Sequence, residues 1–281
     1  MTANDPKQAQ NENTSPYIPV QDYAGQGYSL PNGEKTGAFV KTHKKEIVDQ
    51  VNKFFKEKYH LEVTTHNLVG ATNAVVAYVE SKGEPHFHTS VIVGVDTVNQ
   101  KVTGNVGAYE GKVEDSIMSG LYAMAYEKEF KNLDRFAESV VKKYPVIGTP
   151  QQMINNTVDV GYTTPYFSIS TSNISFPEAY KEFMHNHNVS KMELRKLIEK
   201  RPFNKENVDV GIIFYMVEKH AIPDKKIAEK IIAQFKGLDE VAPGSYGIFI
   251  ESNDILKRTG AAKSDTGTTS GKDEIIKKLG K

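Results

Sequence analysis

Residues 74–106, AVVAYVESKGEPHFHTSVIVGVDTVNQKVTGNV, decide the fold. Two runs rich in β-branched residues, AVVAYVE and HFHTSVIVGVD, are separated by the turn-like SKGEP, and a second turn, VNQ, leads into KVTGNV. Side chains alternate across a strand, so His86, His88, Ser90, Ile92 and Gly94 fall on one side, and Phe87, Thr89, Val91, Val93 and Val95 on the other. The second side is a core face. The first starts polar and turns apolar at Ile92, which predicts a strand exposed in its first half and covered on both sides in its second.

Upstream, residues 37–59 space Ile47, Val48, Val51, Phe54, Phe55 and Tyr59 at helical intervals. Lysines fill much of the remaining face, but Glu46, Asp49 and Glu57 interrupt it, which favours a solvated face over a membrane-binding one. A short strand is expected at residues 61–65. Downstream, residues 113–144 read as one long helix, or two joined near Asn132, ended by Pro145. A strand follows at 166–171. Ser175 and Ser190, each with a Glu three residues on, have the capping-box pattern and place helices over about 176–186 and 191–200. Residues 209–218, DVGIIFYMVE, form the near-continuous apolar run of a central buried strand. A helix with Pro223 in its first turn and Gly237 past its end, then a strand at 245–252, complete the pattern. The fold class is α+β: an antiparallel or mixed sheet covered by helices, possibly as two similar halves, about 37–145 and 146–258.

The ends differ from this body. Residues 1–16 are almost entirely polar and read as a disordered tether. Residues 17–36 are rich in Pro and Gly yet carry Tyr17, Ile18, Val20, Tyr23, Tyr28 and Leu30, and read as an extended arm packed on the body. Residues 259–281 read as a disordered tail, with a marginal short helix at 274–279. Across 281 residues, 35 basic and 35 acidic side chains balance to a formal charge of +0, which gives no electrostatic case for nucleic acid. No run is long and apolar enough to span a bilayer. With no cysteine, disulfides, thiolate nucleophiles and Cys-based metal sites are excluded.

The arm YIPVQDYAGQGYSLPNGEKTG, followed by the Lys-rich helix, resembles a family of uncharacterised lipoproteins of staphylococci and related Gram-positive bacteria, over roughly residues 17–259. The resemblance implies an exported protein held at the outer face of the cell membrane by a lipidated N-terminal Cys, a residue this sequence does not contain. It carries no catalytic residues over.

The chemistry-bearing candidates are few. His86 and His88, two apart on one strand face, would share a divalent metal, with Glu84 and His66 as further ligands if the hairpin brings them close. The competing reading is a partly exposed polar strand end. The letters HNH at 185–187 fall where one helix ends and the next begins, and a His there needs no role beyond the helix dipole. His43, His60 and His220 are solitary. Glu114-Asp115 and Asp239-Glu240 are surface carboxylate pairs. There is no nucleophile elbow, His-Glu-x-x-His helix, phosphate loop or dinucleotide fingerprint. The tyrosines of the arm would stack on carbohydrate or, more simply, pack on the chain itself. The expected function is therefore a non-enzymatic binding or envelope-associated protein with no cofactor, tethered to the membrane and meeting a protein or envelope ligand. The alternative is a metal-assisted hydrolase acting on an envelope component through His86 and His88. A third reading is a structural or immune-facing surface protein.

Overall fold

The computed structural model describes residues 15–266 and 275–278. The expected tether therefore lies almost wholly outside the described residues. The arm opens with β1 (Tyr17–Pro19). Helix α1 (Glu34–Tyr59) then leads into a meander of β2 (Val63–Ala71), β3 (Ala74–Ser81), β4 (His88–Asp96) and β5 (Lys101–Gly107). Helices α2 (Lys112–Ala125) and α3 (Glu127–Lys143) follow, then β6 (Val146–Ile147), α4 (Gln151–Thr157), β7 (Tyr162–Thr163) and β8 (Phe167–Thr171). The rest is α5 (Pro177–His185), α6 (Lys191–Glu199), β9 (Val208–Met216), α7 (Lys225–Lys236), β10 (Gly244–Glu251), β11 (Asp254–Leu256) and β12 (Ile275–Lys277).

Strands β2 to β5 form a four-stranded antiparallel sheet in chain order. A second, six-stranded sheet runs β12-β10-β9-β8-β7 with β6 beside β9, and its β9–β10 pair, joined by the crossover helix α7, is parallel. The fold is α+β, as the alternation pattern required. The two sheets differ in topology, one a plain meander and the other mixed. A third ladder pairs β1 with β11, and the arm buries Val20 and Tyr23 against Ile255.

Helix α1 lays Phe39, Ile47, Val51 and Phe55 on the inward side chains of the meander, among them Val75, Val79, Val91 and Val93. Helix α2 is buried nearly all round, the property of a helix enclosed by protein on every side. It touches β4 of the first sheet and β8 of the second, and one apolar cluster runs through both. Burying about 1.5–3 kcal/mol worth of each such side chain holds the two sheets as neighbours.

Four local expectations are corrected. The break between α2 and α3 falls at Tyr126, not near Asn132: Tyr126 leaves helical geometry while its ring stays buried under the Arg195 guanidinium. Ser175 does not cap α5, whose N-cap is Phe176 with Pro177 at the first position, whereas the Ser190 hydroxyl does accept from the Glu193 amide. The first meander strand extends to Ala71 rather than ending at Thr65. The C-terminal stretch is not structureless where it is described. Asp265 and Ala262 bridge to Glu251 and Ile255, and β12 pairs with β10 at Gly244–Tyr246. An isolated helix of that length leaves most backbone groups unpaired, and the open edge of β10 supplies partners instead.

Candidate metal centre

The turn between β3 and β4 is clipped by one hydroxyl. Ser81 Oγ donates to Pro85 O (2.8 Å) and accepts from Phe87 N (3.0 Å), with Gly83 at φ +94° making the sharp bend. Phe87 is fully buried in the core, so its neighbours His86 and His88 turn to the opposite face. The antiparallel register sets Glu80 of β3 directly across from His88. Ligand atoms of Glu80, His86 and His88 all lie within 4.8 Å of one another, and His86 Nδ1 is 3.7 Å from Glu80 Oε1. Ligands of a tetrahedral zinc ion stand about 3.4 Å apart, so side-chain shifts of about 1 Å would close the three around one ion.

His66 completes the arrangement from β2. It is the extra residue of a bulge between Thr65 and Asn67, and a bulge re-aims the side chain it inserts. Its Nε2 lies 2.7 Å from Glu80 Oε2, leaving Glu80 Oε1 turned toward His86. A bound ion would thus find Glu80 already oriented by a second-layer partner, the arrangement that tunes natural metal sites.

The polar face of β4 is not exposed at its first half, contrary to the alternation-based expectation. His88 is 1% exposed, and neither of its ring nitrogens has a partner at good hydrogen-bond geometry, although the Asn155 side chain stands close enough to act on the ring. The covering comes from the second half of the chain. His88 N donates to Gly161 O (2.7 Å), Ser90 Oγ to Asp159 Oδ2 (2.8 Å), and Asn67 Nδ2 to Asn156 O (2.7 Å), which seats α4 and the segment after it over this face. Burial holds His88 down at about 4, with the neighbouring His86 adding to the shift and Glu80 and the Asn155 side chain opposing it. Burial likewise lowers His86, against the pull of Glu80. Both rings are therefore neutral near pH 7, the form in which imidazole ligates metals. A buried neutral imidazole without partners costs about 1–3 kcal/mol, which a metal ligand bond would offset.

His86 gives the cluster a way out. With its side chain 35% exposed, it lines a cleft of about 190 Å³ between the turn, α2 and α3, beside Tyr162, Asp134 and Lys131. Burial, helped by Glu138, raises Asp134 to about 6. Backbone contact fixes the turn against α2: a Cβ built on Gly120 would stand 2.6 Å from His86 O.

Of the residues singled out in the sequence, His86 and His88 come together and His66 stands behind them. Glu84 does not join, being 2.8 Å from Lys191 Nζ in an exposed ion pair. Glu80 was missed, although counting residues back from the SKGEP turn would have set it opposite His88. Of the remaining histidines, His60, expected to be solitary, meets the ring of His187 edge-on at 6.1 Å. His43 stacks on Phe39 at 3.8 Å, His220 Nδ1 meets Asp254 Oδ1 at 2.7 Å, and His187 packs edge-on against Phe183. Glu114 accepts from Tyr59 OH (2.7 Å). The arm tyrosines bond within the chain, Tyr23 OH to Lys257 O and Tyr28 OH to Tyr78 OH, both at 2.8 Å.

Fold and site together define an α+β protein with a partly buried His₂Glu cluster on the face of the meander that α4 and the segment after it cover. The chain belongs to the DUF1672 family, described as proteins of unknown function, whose model matches residues 10–278. A crystal structure of a DUF1672 family protein (SAV1486) from Staphylococcus aureus subsp. aureus Mu50 is similar to it, with a TM-score of 0.77 at 17% identity, covering 94% of this chain and 99% of that one. At that identity the likeness establishes the fold alone. Among curated proteins none matches.

Proposed function

We propose that this protein binds a divalent transition metal, zinc or copper by ligand type, through Glu80, His86 and His88, and serves as a binding protein of the cell envelope rather than a catalyst. The observation that carries the reading is His88, a buried imidazole with no partner at good hydrogen-bond geometry, only the Asn155 side chain nearby, which faces a carboxylate held in place by His66. A hydrophobic side chain would fill that position at lower cost, so the imidazole is explained by a ligand. The test is a calorimetric titration of zinc and of copper into the wild-type protein and into a variant with both His86 and His88 changed to Ala. The reading expects one equivalent bound at micromolar or tighter affinity by the wild type and none by the variant. Binding by neither protein ends it.

The envelope setting rests on the family resemblance and on the polar N-terminal stretch, which suits a tether to a lipid-anchored Cys preceding it. Among the described residues no helix is long and apolar enough to cross a membrane. The native gene's upstream codons test the anchor: a signal peptide ending in a lipidation Cys supports it, and a cytosolic start contradicts it.

One observation favours a second reading. Three protein ligands leave a fourth position open on a tetrahedral ion, as in catalytic zinc sites, and His86 borders a cleft that also holds Asp134. A metal-assisted hydrolase of an envelope component would use that position for water. Zinc-dependent hydrolysis of an activated ester or phosphodiester, lost on His88→Ala, would favour this reading over pure binding.

A further inference from the structure

Helix α4 covers the ligand-bearing face of the meander, yet its apolar anchor lies outside the main core. It has seven residues, no side-chain N-cap and two buried side chains, Met153 and Ile154. Met153 packs in the small cluster it shares with Ile255 and with Val20 and Tyr23 of the N-terminal arm. The arm then crosses the helix. Asn156 Nδ2 donates to Ala24 O (2.8 Å), and Gly25, at φ +91°, passes so close that a Cβ on it would stand 2.8 Å from Asn156 Cβ. Beyond the crossing, Tyr28 OH bonds to Tyr78 OH (2.8 Å), and Tyr78 lies on β3 two residues before Glu80, on the same face. Anchors hold the arm on both sides of this span. Tyr23 is buried with its OH on Lys257 O, and the backbone of Gly33 abuts Gly70 too closely for a side chain on either. Between the anchors, none of residues 24–30 is buried.

We propose that residues 24–30 form a strap that latches α4 over His88, and that release of this strap sets how fast an ion reaches that ligand. The role in metal exchange rests on the metal reading above, whereas the latch itself belongs to the metal-free fold. Two neighbouring residues of α4 do the covering. The Asn155 side chain stands by the His88 ring, and the Asn156 carbonyl takes the Asn67 amide of β2. His86 opens on a cleft and His88 is buried, so an ion that meets His86 first completes its ligand set when α4 lifts. Segments that open locally are those with few buried apolar contacts. A short helix with two buried side chains, held by a strap with none, is such a segment. The two polar contacts of the strap, Ala24 with Asn156 and Tyr28 with Tyr78, are single hydrogen bonds. Loss of either should raise the open population by about three- to tenfold.

The test is carbethoxylation of the full chain by diethyl pyrocarbonate, in chelator near neutral pH, with initial rates at His86 and His88 separated by peptide fragmentation in a mass spectrometer. Tyr28→Phe and Asn156→Ala should each speed modification of His88 by about three- to tenfold, and the double variant by about the product, with His86 unchanged. Asn132→Ala, which removes a bond of the same kind between α3 and Glu240 O, is the control and should leave both rates as in wild type. Stopped-flow loading of zinc alone should quicken by the same factors in the same variants. His88 rates unmoved by both strap variants, or moved as much by Asn132→Ala, overturn the latch. Faster carbethoxylation without faster zinc loading overturns its role in exchange and sends the ion in through the His86 cleft. Absence of zinc binding by every protein contradicts the metal reading instead, and the carbethoxylation rates still decide the latch.

Discussion

Glu80 and His88 face each other across the β3–β4 pair, and the oxygen of Glu80 that does not face the histidines is held by His66 at 2.7 Å. His66 is thus a positioning residue in the proposed site: it touches the carboxylate and not the ion. Changing a partner of this kind lowers metal affinity by about 10- to 100-fold in known sites. His66→Ala is expected to weaken zinc binding by about that factor while leaving one equivalent bound. A chelator-competition assay measures it, and an unchanged affinity would remove His66 from the account.

His88 carries a cost in the metal-free protein. Its imidazole is desolvated with no well-formed hydrogen bond, only the Asn155 side chain nearby, so His88→Leu, of similar volume, removes that penalty. The variant should be more stable than wild type by about 1–3 kcal/mol in urea denaturation with chelator present, and should bind no metal. In saturating zinc the order should reverse, because ligand binding to the native state stabilises only the wild type. A variant less stable than wild type in chelator would show that the His88 ring is satisfied by the fold itself.

Gly120→Ala separates helix propensity from packing. In an unconstrained helix interior the change stabilises by about 1 kcal/mol. Here the new methyl would stand 2.6 Å from His86 O and 2.9 Å from Pro85 Cβ, so the ligand-bearing turn must move. Overpacking of this kind costs about 1–3 kcal/mol, which outweighs the propensity gain. Net destabilisation in thermal melts, together with weaker zinc binding, is expected.

Glu251 makes stability depend on pH. Its native carboxyl titrates at about 7 against an ordinary 4.5. Between those values the native state holds a proton that the unfolded chain has released, so stability falls as pH rises from about 4.5 to about 7 and levels off above. The full effect is roughly 3 kcal/mol. Glu251→Gln abolishes this contribution, so the difference between wild-type and variant stability curves should slope downward across that window. A flat difference would place the Glu251 carboxylate in contact with water or a cation.

Much of this fold was legible because its elements carry strong local patterns. The alternation in residues 74–95, the apolar run at 209–218 and the Ser190 cap each correspond to an observed element. What escaped was non-local. The helix break at Tyr126 has no glycine or proline to mark it, and β12 exists because β10 offers an open edge some thirty residues away in sequence. The site divides in the same way. His86 and His88 were visible from their spacing alone. Glu80 required the hairpin register, the role of His66 required a bulge, and the burial of His88 required α4 and Gly161 to arrive from the other half of the chain.

Anomalous diffraction at the zinc edge from crystals grown with one equivalent of zinc tests the central claim most directly. The account predicts a single strong peak about 2.0–2.2 Å from a nitrogen of each of His86 and His88 and from an oxygen of Glu80, with His66 still on the other carboxylate oxygen. A peak elsewhere, with the Glu80–His86–His88 cluster unchanged, would contradict it.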